Sequence, residues 1–548
     1  MRTKVLWVCA FMPAVVAKAL NMDRGVKEGW VDAALMGLLA GSGEDMEISV
    51  AFAVPPGSRE LRGEVRVDLS SQCENNSCRI LSVSGEARAA AANTASSLSD
   101  ASHVSASGAR DAAAPAASSP SEASPRVVSD NRYFAVNTAA SHLDASHVST
   151  SDTRAAAANT ASSPRTLTYY SFPEDFSRLE ELPPALMKSA EKILQDARPD
   201  LIHIFGTEYP HGAAFAEAFG EPSRILVSLQ GLMGECAKHY RAGLPDRVWD
   251  SVTLRDLLRN DSLKKQQEKF EKRAVFEKRL LLSAGHAAGR TAFDKGAALA
   301  INPGLIYHHL GESLRREFYS YEEEQLPSVT ENNAASGRGG EFRRANRSLW
   351  VFDRCIPRRI FLSQGNYPLK GAHRLLECLP ELISEFPDIS VHIAGDAITR
   401  TASFRDGLKL SGYGRYLLEL VRDHENHVTF TGRLSAERMK EEMLSANVFL
   451  SPSSIENSSN SLGEAMLLGV PCAASRVGGI PDLAEDGKEA LLYSFEDREA
   501  MIAAIRRLFC DRDLCEALGS AASKKARRLF DPSGNTADLL GIYRELTG

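Results

Sequence analysis

Short apolar runs closed by glycine or a small polar residue alternate along this chain with stretches whose apolar residues recur every three or four positions. Residues 4–10 (KVLWVCA), 46–54 (MEISVAFAV), 201–206 (LIHIFG) and 224–231 (RILVSLQG) are near-continuous apolar runs. Interior strands of parallel sheets, buried on both faces, look like this. A second series follows at 359–365 (RIFLSQG), 389–395 (ISVHIAG), 427–432 (HVTFTG), 447–453 (NVFLSPS) and 471–475 (PCAAS). Helices are predicted between the runs, over Pro184 to Asp196, from Gly371, near 413–425 and from Ser435. The Gly371 helix carries Leu375, Leu376, Leu379, Leu382, Ile383 and Phe386 at the spacing of one apolar face. Strand and helix alternating twice over predict an α/β protein of two doubly wound, Rossmann-like parallel sheets. Ligands of such folds bind at the carboxyl ends of the strands, here a cleft between two domains.

Two segments break the pattern. From 87 to about 165 a 22-residue unit repeats, with Arg at 88, 110, 132 and 154. Its units are Ala, Ser, Thr and Asp with almost no large apolar residue, too little to offset the entropy of ordering. A disordered insertion at about 85–166 is expected, and a linker-like loop at about 322–346. The expected division is a first domain over 1–345, a second over 357–530, and a closing helix over 531–548.

The chain has 548 residues and a formal net charge of −7, which gives no case for a nucleic-acid binder. Nine cysteines form no CxxC, and Cys73-x4-Cys78 lacks a second pair, so zinc is not expected. The first residues imitate a signal peptide, but Pro13 and the turn-like region after it favour a first buried strand. No run approaches the ~18 apolar residues that span a bilayer. A cytoplasmic protein is expected, with peripheral contact at the inner face of an anionic membrane as a further possibility. That possibility rests on residues 264–279, with seven basic and three acidic residues. A solvated helix face with ion pairs is the favoured reading of this stretch, and lipid docking the other.

Chemistry concentrates between Phe449 and Leu483, where Glu456 and Glu464 stand eight positions apart. Ser461-x-x-Glu464 has the form of a capping box, so Ser461 is expected to open a helix. The N–H groups around Asn460, Ser461 and Leu462 would then face a phosphate, and the two carboxylates the hydroxyls of a sugar. The loop SQGNYPLKGAH brings Gly365, Asn366 and Lys370 to the carboxyl end of another strand. Lys370 can there neutralise a departing diphosphate. Residues 202–212 (IHIFGTEYPHG) place Glu208 and His211 at a strand end, while His203 inside the strand reads as a core histidine. Asp511-Arg512-Asp513 spells DxD but sits at a helix boundary, with Asp513 the expected cap.

The stretch from Glu456 through GVPCAAS to GGIPDL resembles the Glu-x7-Glu region of retaining glycosyltransferases of family 4. SLQGLMGECAKHY and AGRTAFDKG resemble segments of bacterial members that assemble surface polysaccharide. The resemblance implies a GT-B fold and a metal-independent hexosyltransferase with no cofactor. Its donor would be a UDP- or GDP-linked sugar, and its acceptor a carbohydrate or lipid-linked glycan. It implies that Glu464 takes the ribose hydroxyls, Glu456 the sugar hydroxyls, and Lys370 with the Ser461 and Leu462 N–H groups the diphosphate. GVKEGW (25–30) is similar to the family's glycine loop, with Gly29 facing the donor phosphates. Glu208 and His211 would border the acceptor, Glu208 orienting its hydroxyl, with a capping or surface role as the alternative. Asn366 stands near the position of the family's usual arginine, a departure that leaves Arg290 to supply the second positive charge. The last helix would cross back onto the first domain. Two rivals remain: a nicotinamide oxidoreductase, disfavoured because no GxGxxG follows an early strand, and a non-catalytic sugar-nucleotide-binding protein of the same fold.

Overall fold

The computed structural model describes residues 2–22, 29–43, 45–69, 79–85, 164–319, 349–395 and 410–548. The 22-residue repeats and the loop at 322–346 lie outside the described residues, as does most of 25–30.

Nine strands form the first sheet: β1 (Thr3–Cys9), β2 (Met46–Val54), β3 (Arg62–Asp68), β4 (Arg79–Gly85), β5 (Arg165–Pro173), β6 (Leu201–Phe205), β7 (Ile225–Ser228), β8 (His286–Gly289) and β9 (Ile306–His309). Their order is β4-β3-β5-β2-β1-β6-β7-β8-β9. Every pairing from β5 to β9 is parallel. β3 runs antiparallel to both its neighbours. The run at 4–10 is therefore the centre of the sheet, paired with β2 and β6 and buried at Leu6, Trp7 and Val8.

The second sheet holds β10 (Arg359–Leu362), β11 (Ser390–Ala394), β12 (Val428–Gly432), β13 (Val448–Ser451), β14 (Cys472–Ser475) and β15 (Leu491–Tyr493). All pairings are parallel, in the order β12-β11-β10-β13-β14-β15. The order reverses between β10 and β13, and a ligand crevice opens beyond the strand ends at such a switch.

The chain crosses between the lobes twice. Leu314 packs on Gly463 of the second lobe, and Tyr319 Oη donates to Phe530 O (2.6 Å). The chain from Leu314 on thus already touches the second lobe, at Gly463, Glu464 and Phe530. Leu314, Phe318 and Tyr319 fall in a short stretch whose single element is the 3-10 turn Arg316–Phe318, too short to show a strand or helix period in the sequence. The return crossing leads into the helix Pro532–Thr547, whose Leu539, Leu540, Ile542, Tyr543 and Leu546 pack in the first lobe's core. The two crossings touch. A Cβ on Gly311 would lie 2.2 Å from Asn535 Oδ1 and 2.8 Å from Leu529 O.

The returning helix is fixed by a buried polar chain. Trp7 Nε1 donates to Tyr543 Oη (2.7 Å), which contacts His203 Nδ1 (2.6 Å), while His203 Nε2 reaches Ser228 Oγ (2.8 Å). The indole can only donate, so the phenol oxygen accepts there, and the His203 tautomer sets the direction of the two remaining contacts. Burial lowers the pKa of His203 to about 3, which keeps the ring neutral.

Candidate functional site

The helix Asn460–Leu468 follows β13 and supplies one wall of the site. Its cap is Ser459, whose Oγ accepts from Leu462 N (3.3 Å); Ser461, expected to cap, lies inside the first turn. The helix starts two residues early, and this shift dissolves the capping box. Leu462 N–H is consequently engaged by the cap. Glu464, moved out of capping reach, is 1% exposed and accepts from Arg315 through both oxygens, Nε to Oε1 at 2.6 Å and Nη2 to Oε2 at 2.7 Å. The guanidinium comes from the crossing segment, a parallel two-bond geometry that arginine suits best.

Glu456 lies between β13 and this helix, and its Oε1 accepts from Lys370 Nζ (2.6 Å) and Ser453 Oγ (2.7 Å). Both partners are nearly buried, with side-chain exposures of 15% for Lys370 and 10% for Glu456. Burial works against the ammonium charge of Lys370, but the adjacent carboxylate outweighs it and raises its pKa. Lys370 ends the 3-10 turn Pro368–Lys370, and the chain then turns at Gly371 with φ 68°. A Cβ there would be 1.7 Å from Pro452 O, so only glycine lets this loop lie against the one bearing Glu456. The GGIPDL motif holds Glu456 from the other side. Gly479 N donates to Glu456 O (3.0 Å), and a Cβ on Gly478 would fall 1.9 Å from that oxygen.

Gly365 N donates to Ala394 O (3.0 Å), prolonging the β10–β11 contact. The Asn366 amide lies over Gly395, where a Cβ would be 1.9 Å from Asn366 Oδ1. Both residues stay at the carboxyl edge of the second sheet.

The facing wall comes from the first lobe. Arg290, just after β8, donates to Asn460 Oδ1 through Nη1 (3.2 Å) and to Gln230 Oε1 through Nη2 (3.2 Å), and it pairs with Glu312. Burial lowers its pKa to about 10, with Asp294 opposing. Thr291 caps the helix Ala292–Ile301 and donates from Oγ1 to Asn457 Oδ1 (3.2 Å). Asn457 Nδ2 donates to Gln230 O (2.9 Å), and Ala292 N to Asp482 Oδ2 (2.9 Å). Arg290 and the opening of the Asn460–Leu468 helix, far apart in sequence, thus meet between the lobes.

Glu208 is buried near this wall. Its Oε1 accepts from Gly231 N (2.7 Å), its backbone carbonyl accepts from Arg273, and its Oε2 has no hydrogen-bond partner among the described residues. Burial raises its pKa against the opposing hydrogen bonds. His211 is placed differently from the expectation. It is fully buried in the first turn of the helix Pro210–Phe219, bonded to Glu174 Oε2 (2.7 Å) and stacked on Tyr209. The apolar surroundings of Phe172 and Tyr209 turn it into the core, away from the gap. Gly29 begins the helix Gly29–Gly41 instead of standing in a loop. Asp511, not Asp513, caps the helix Arg512–Leu529 (Oδ1 to Leu514 N, 2.9 Å). Among the described residues no cluster of three or more His, Cys, Asp or Glu is arranged to hold a metal.

Three participants were not singled out from the sequence. Arg315 belongs to an irregular stretch, Asn457 is one of several small polar residues in a row, and Glu277 sits in a highly charged helix. Glu277 accepts from Met233 N (2.6 Å), Gly234 N (3.1 Å) and Thr207 Oγ1 (3.0 Å), capping the helix Met233–His239 with its side chain. Burial pushes its pKa up to about 7 in spite of these bonds.

Residues 357–511 match the family model described as glycosyl transferases group 1. Spore coat protein SA of Bacillus subtilis is 27% identical over 179 residues, covering 32% of this chain and 46% of that protein. A phosphatidyl-myo-inositol mannosyltransferase of Mycolicibacterium smegmatis is 27% identical over 190 residues, covering 34% and 45%. The chain therefore spans less than half the length of these curated relatives. Among solved structures, sucrose-phosphate synthase from Thermosynechococcus elongatus superposes with TM-score 0.55 at 14% identity, covering 100% of this chain and 99% of that one. Anabaena Alr3699/HepE in complex with UDP-glucose superposes with TM-score 0.50 at 13% identity, covering 99% and 100%. Two parallel-sheet lobes set face to face give this chain the GT-B fold, with a second lobe similar to the group 1 glycosyl transferases.

Proposed function

We propose that the chain is a retaining, metal-independent glycosyltransferase that moves a hexose from a UDP- or GDP-linked donor to a carbohydrate or lipid-linked acceptor in cell-surface glycoconjugate synthesis. One observation carries the reading. Glu456, Lys370 and Asn460 of the second lobe stand with Arg290 of the first around one helix opening between the lobes. Two cations there suit a diphosphate, and Glu456 suits vicinal sugar hydroxyls. In the reaction the bond from the anomeric carbon to phosphate breaks and a bond to the acceptor oxygen forms on the same face. The acceptor's proton passes to the departing phosphate, so no protein nucleophile is needed. Lys370 and Arg290 stabilise the charge that grows on the leaving group, and Lys370 releases Glu456 to the sugar as it turns to phosphate. Glu464 holds Arg315 and thereby the crossing segment, and a ribose would reach its remaining lone pairs past that guanidinium.

The similarity to a phosphatidyl-myo-inositol mannosyltransferase, and to a fold neighbour that holds UDP-glucose, supports this class. The test is a melting-shift panel of UDP-, GDP- and ADP-sugars, followed by mass spectrometry of donor turnover in wild type and Glu456→Ala. A shift with one nucleotide sugar and turnover lost in the variant are expected. Because both carboxylates are paired with cations, a binding protein without turnover is the second reading. A melting shift with no turnover of any donor would favour it.

A further inference from the structure

Between β7 and β8 the first lobe sends out an arm, residues 233–259, that lies against the second lobe. Polar contacts hold it along its length. Ser454 Oγ donates to His239 O (3.3 Å), Thr253 Oγ1 to Leu410 O (3.0 Å) and Gly412 N to Asp256 Oδ2 (3.0 Å). Arg247 pairs with Glu419 (3.0 Å), and its guanidinium lies 5.4 Å from the centre of the Tyr416 ring.

The tip of the arm is strained. Ala242 has φ 50°, a left-handed conformation that costs any residue with a side chain, and Gly243 follows at φ 72°. This turn presents the buried Ala242 carbonyl to His373, whose Nε2 lies 2.8 Å from it. A carbonyl only accepts, so Nε2 carries the proton. Burial lowers the pKa of His373 to about 4, and the neutral ring accepts at Nδ1 from Tyr413 Oη (3.1 Å). An imidazole with no exposed surface costs its desolvation, which these two bonds offset.

His373 stands three residues after Lys370, in the first turn of the helix Ala372–Glu385. The loop of Glu456 meets the same arm. Ser454, two residues before Glu456, holds His239 O through Oγ and donates from its backbone N to Leu369 O (2.8 Å). Both loops of the Lys370–Glu456 pair are thus fastened to the arm.

We propose that His373 is a positioning residue: by binding the strained Ala242 carbonyl, it makes the seating of the first lobe's arm set Lys370 against Glu456. Lys370 is then aligned for a leaving diphosphate only while the arm is seated. That last step rests on the transferase reading above; the coupling of arm to loop does not.

Hydrogen exchange of the full chain, with turnover of the donor found by melting shift, tests it. In His373→Phe, residues 239–256 and 366–373 should both exchange about tenfold faster, with Pro532–Thr547 unchanged. The kcat should fall about 10- to 100-fold at nearly constant KM. His373→Gln, whose Nε2–H can reach the same carbonyl, should restore most of both. A histidine that only fills the core would lower the melting temperature in both variants and leave kcat of the folded protein alone. Arg247→Ala removes a side chain that is 59% exposed, and it should speed exchange over both segments together, roughly threefold. It decides the matter if His373→Phe does not fold. Faster exchange over 239–256 alone, an unchanged kcat in His373→Phe, or equal impairment of the Phe and Gln variants overturns the proposal. If the wild type turns over no donor, the transferase reading fails, and joint or separate exchange of the two segments still decides the role of His373.

Discussion

Arg315 grips Glu464 with two parallel hydrogen bonds, at 2.6 and 2.7 Å, in a place where the carboxylate is 1% exposed. The pair joins the segment crossing from the first lobe to the helix at the centre of the candidate site. Removing one partner strands a buried charge. Arg315→Ala should therefore cost about 3–5 kcal/mol, while Arg315→Met combined with Glu464→Leu should restore most of that loss. Urea unfolding of the single and double variants measures it; two losses that simply add would mean that the residues act separately.

The second prediction concerns Lys370. If it meets the leaving diphosphate, Lys370→Ala should lower kcat about 100- to 1,000-fold with a much smaller change in KM. Steady-state kinetics with the donor found in the melting panel decide this. A change confined to KM would place Lys370 in ground-state binding only.

Gly478 has φ 51° and its missing side chain leaves room for Glu456 O. Gly478→Ala should cost on the order of 1–3 kcal/mol and displace the loop that presents Glu456. The nucleotide-sugar melting shift should disappear in this variant while the fold persists by circular dichroism. A retained shift would detach the glycine from the site.

Glu277 gives a pH signature. Its pKa rises from 4.5 to about 7 on folding, so the native state holds the proton more tightly than the unfolded chain. Its stabilising contribution is complete below pH 4.5 and is lost as pH climbs through about 7. The loss across that range is roughly 3 kcal/mol. Denaturation at pH 5.5, 7 and 8 should show wild type weakening with rising pH and Glu277→Gln following a flatter course.

Tyr543→Phe breaks the chain from Trp7 to His203 and leaves a buried indole N–H and imidazole nitrogen without partners. A loss of about 1–3 kcal/mol is expected, with opening of the Pro532–Thr547 helix before the sheets. Hydrogen exchange resolved along the chain reads it directly. The depressed pKa of His203 adds stability above pH 6.5 that fades on acidification towards pH 3, where the unfolded chain gains a proton that the core refuses.

β10, β11, β13 and β14 were legible because they are mostly buried and spell short apolar runs, and β12 from its alternating VTFTG, whereas the three-residue β15 was too short to read. β8 (HAAG) and β9 (IYHH) were not legible, being four residues long and built of small or polar side chains. The antiparallel β3 was missed because its alternating RGEVRVD carries only two large apolar residues, Val65 and Val67. In the site, Glu456 and Lys370 could be named from a motif, yet no rule of spacing could disclose that they touch. Ser461 misled because serine, asparagine and serine compete for one cap, and the backbone turn selects among them. His211 misled because a strand-end position says nothing of which way a ring turns. Arg315 needed the tertiary structure, since its partner lies 149 positions away.

Where Gly311 lets the two lobe-to-lobe strands of backbone press together, the tethers share one seam. Polar clasps from Thr291 to Asn457, from Ala292 to Asp482 and from Arg290 to Asn460 already span the gap, so any widening of it must break them.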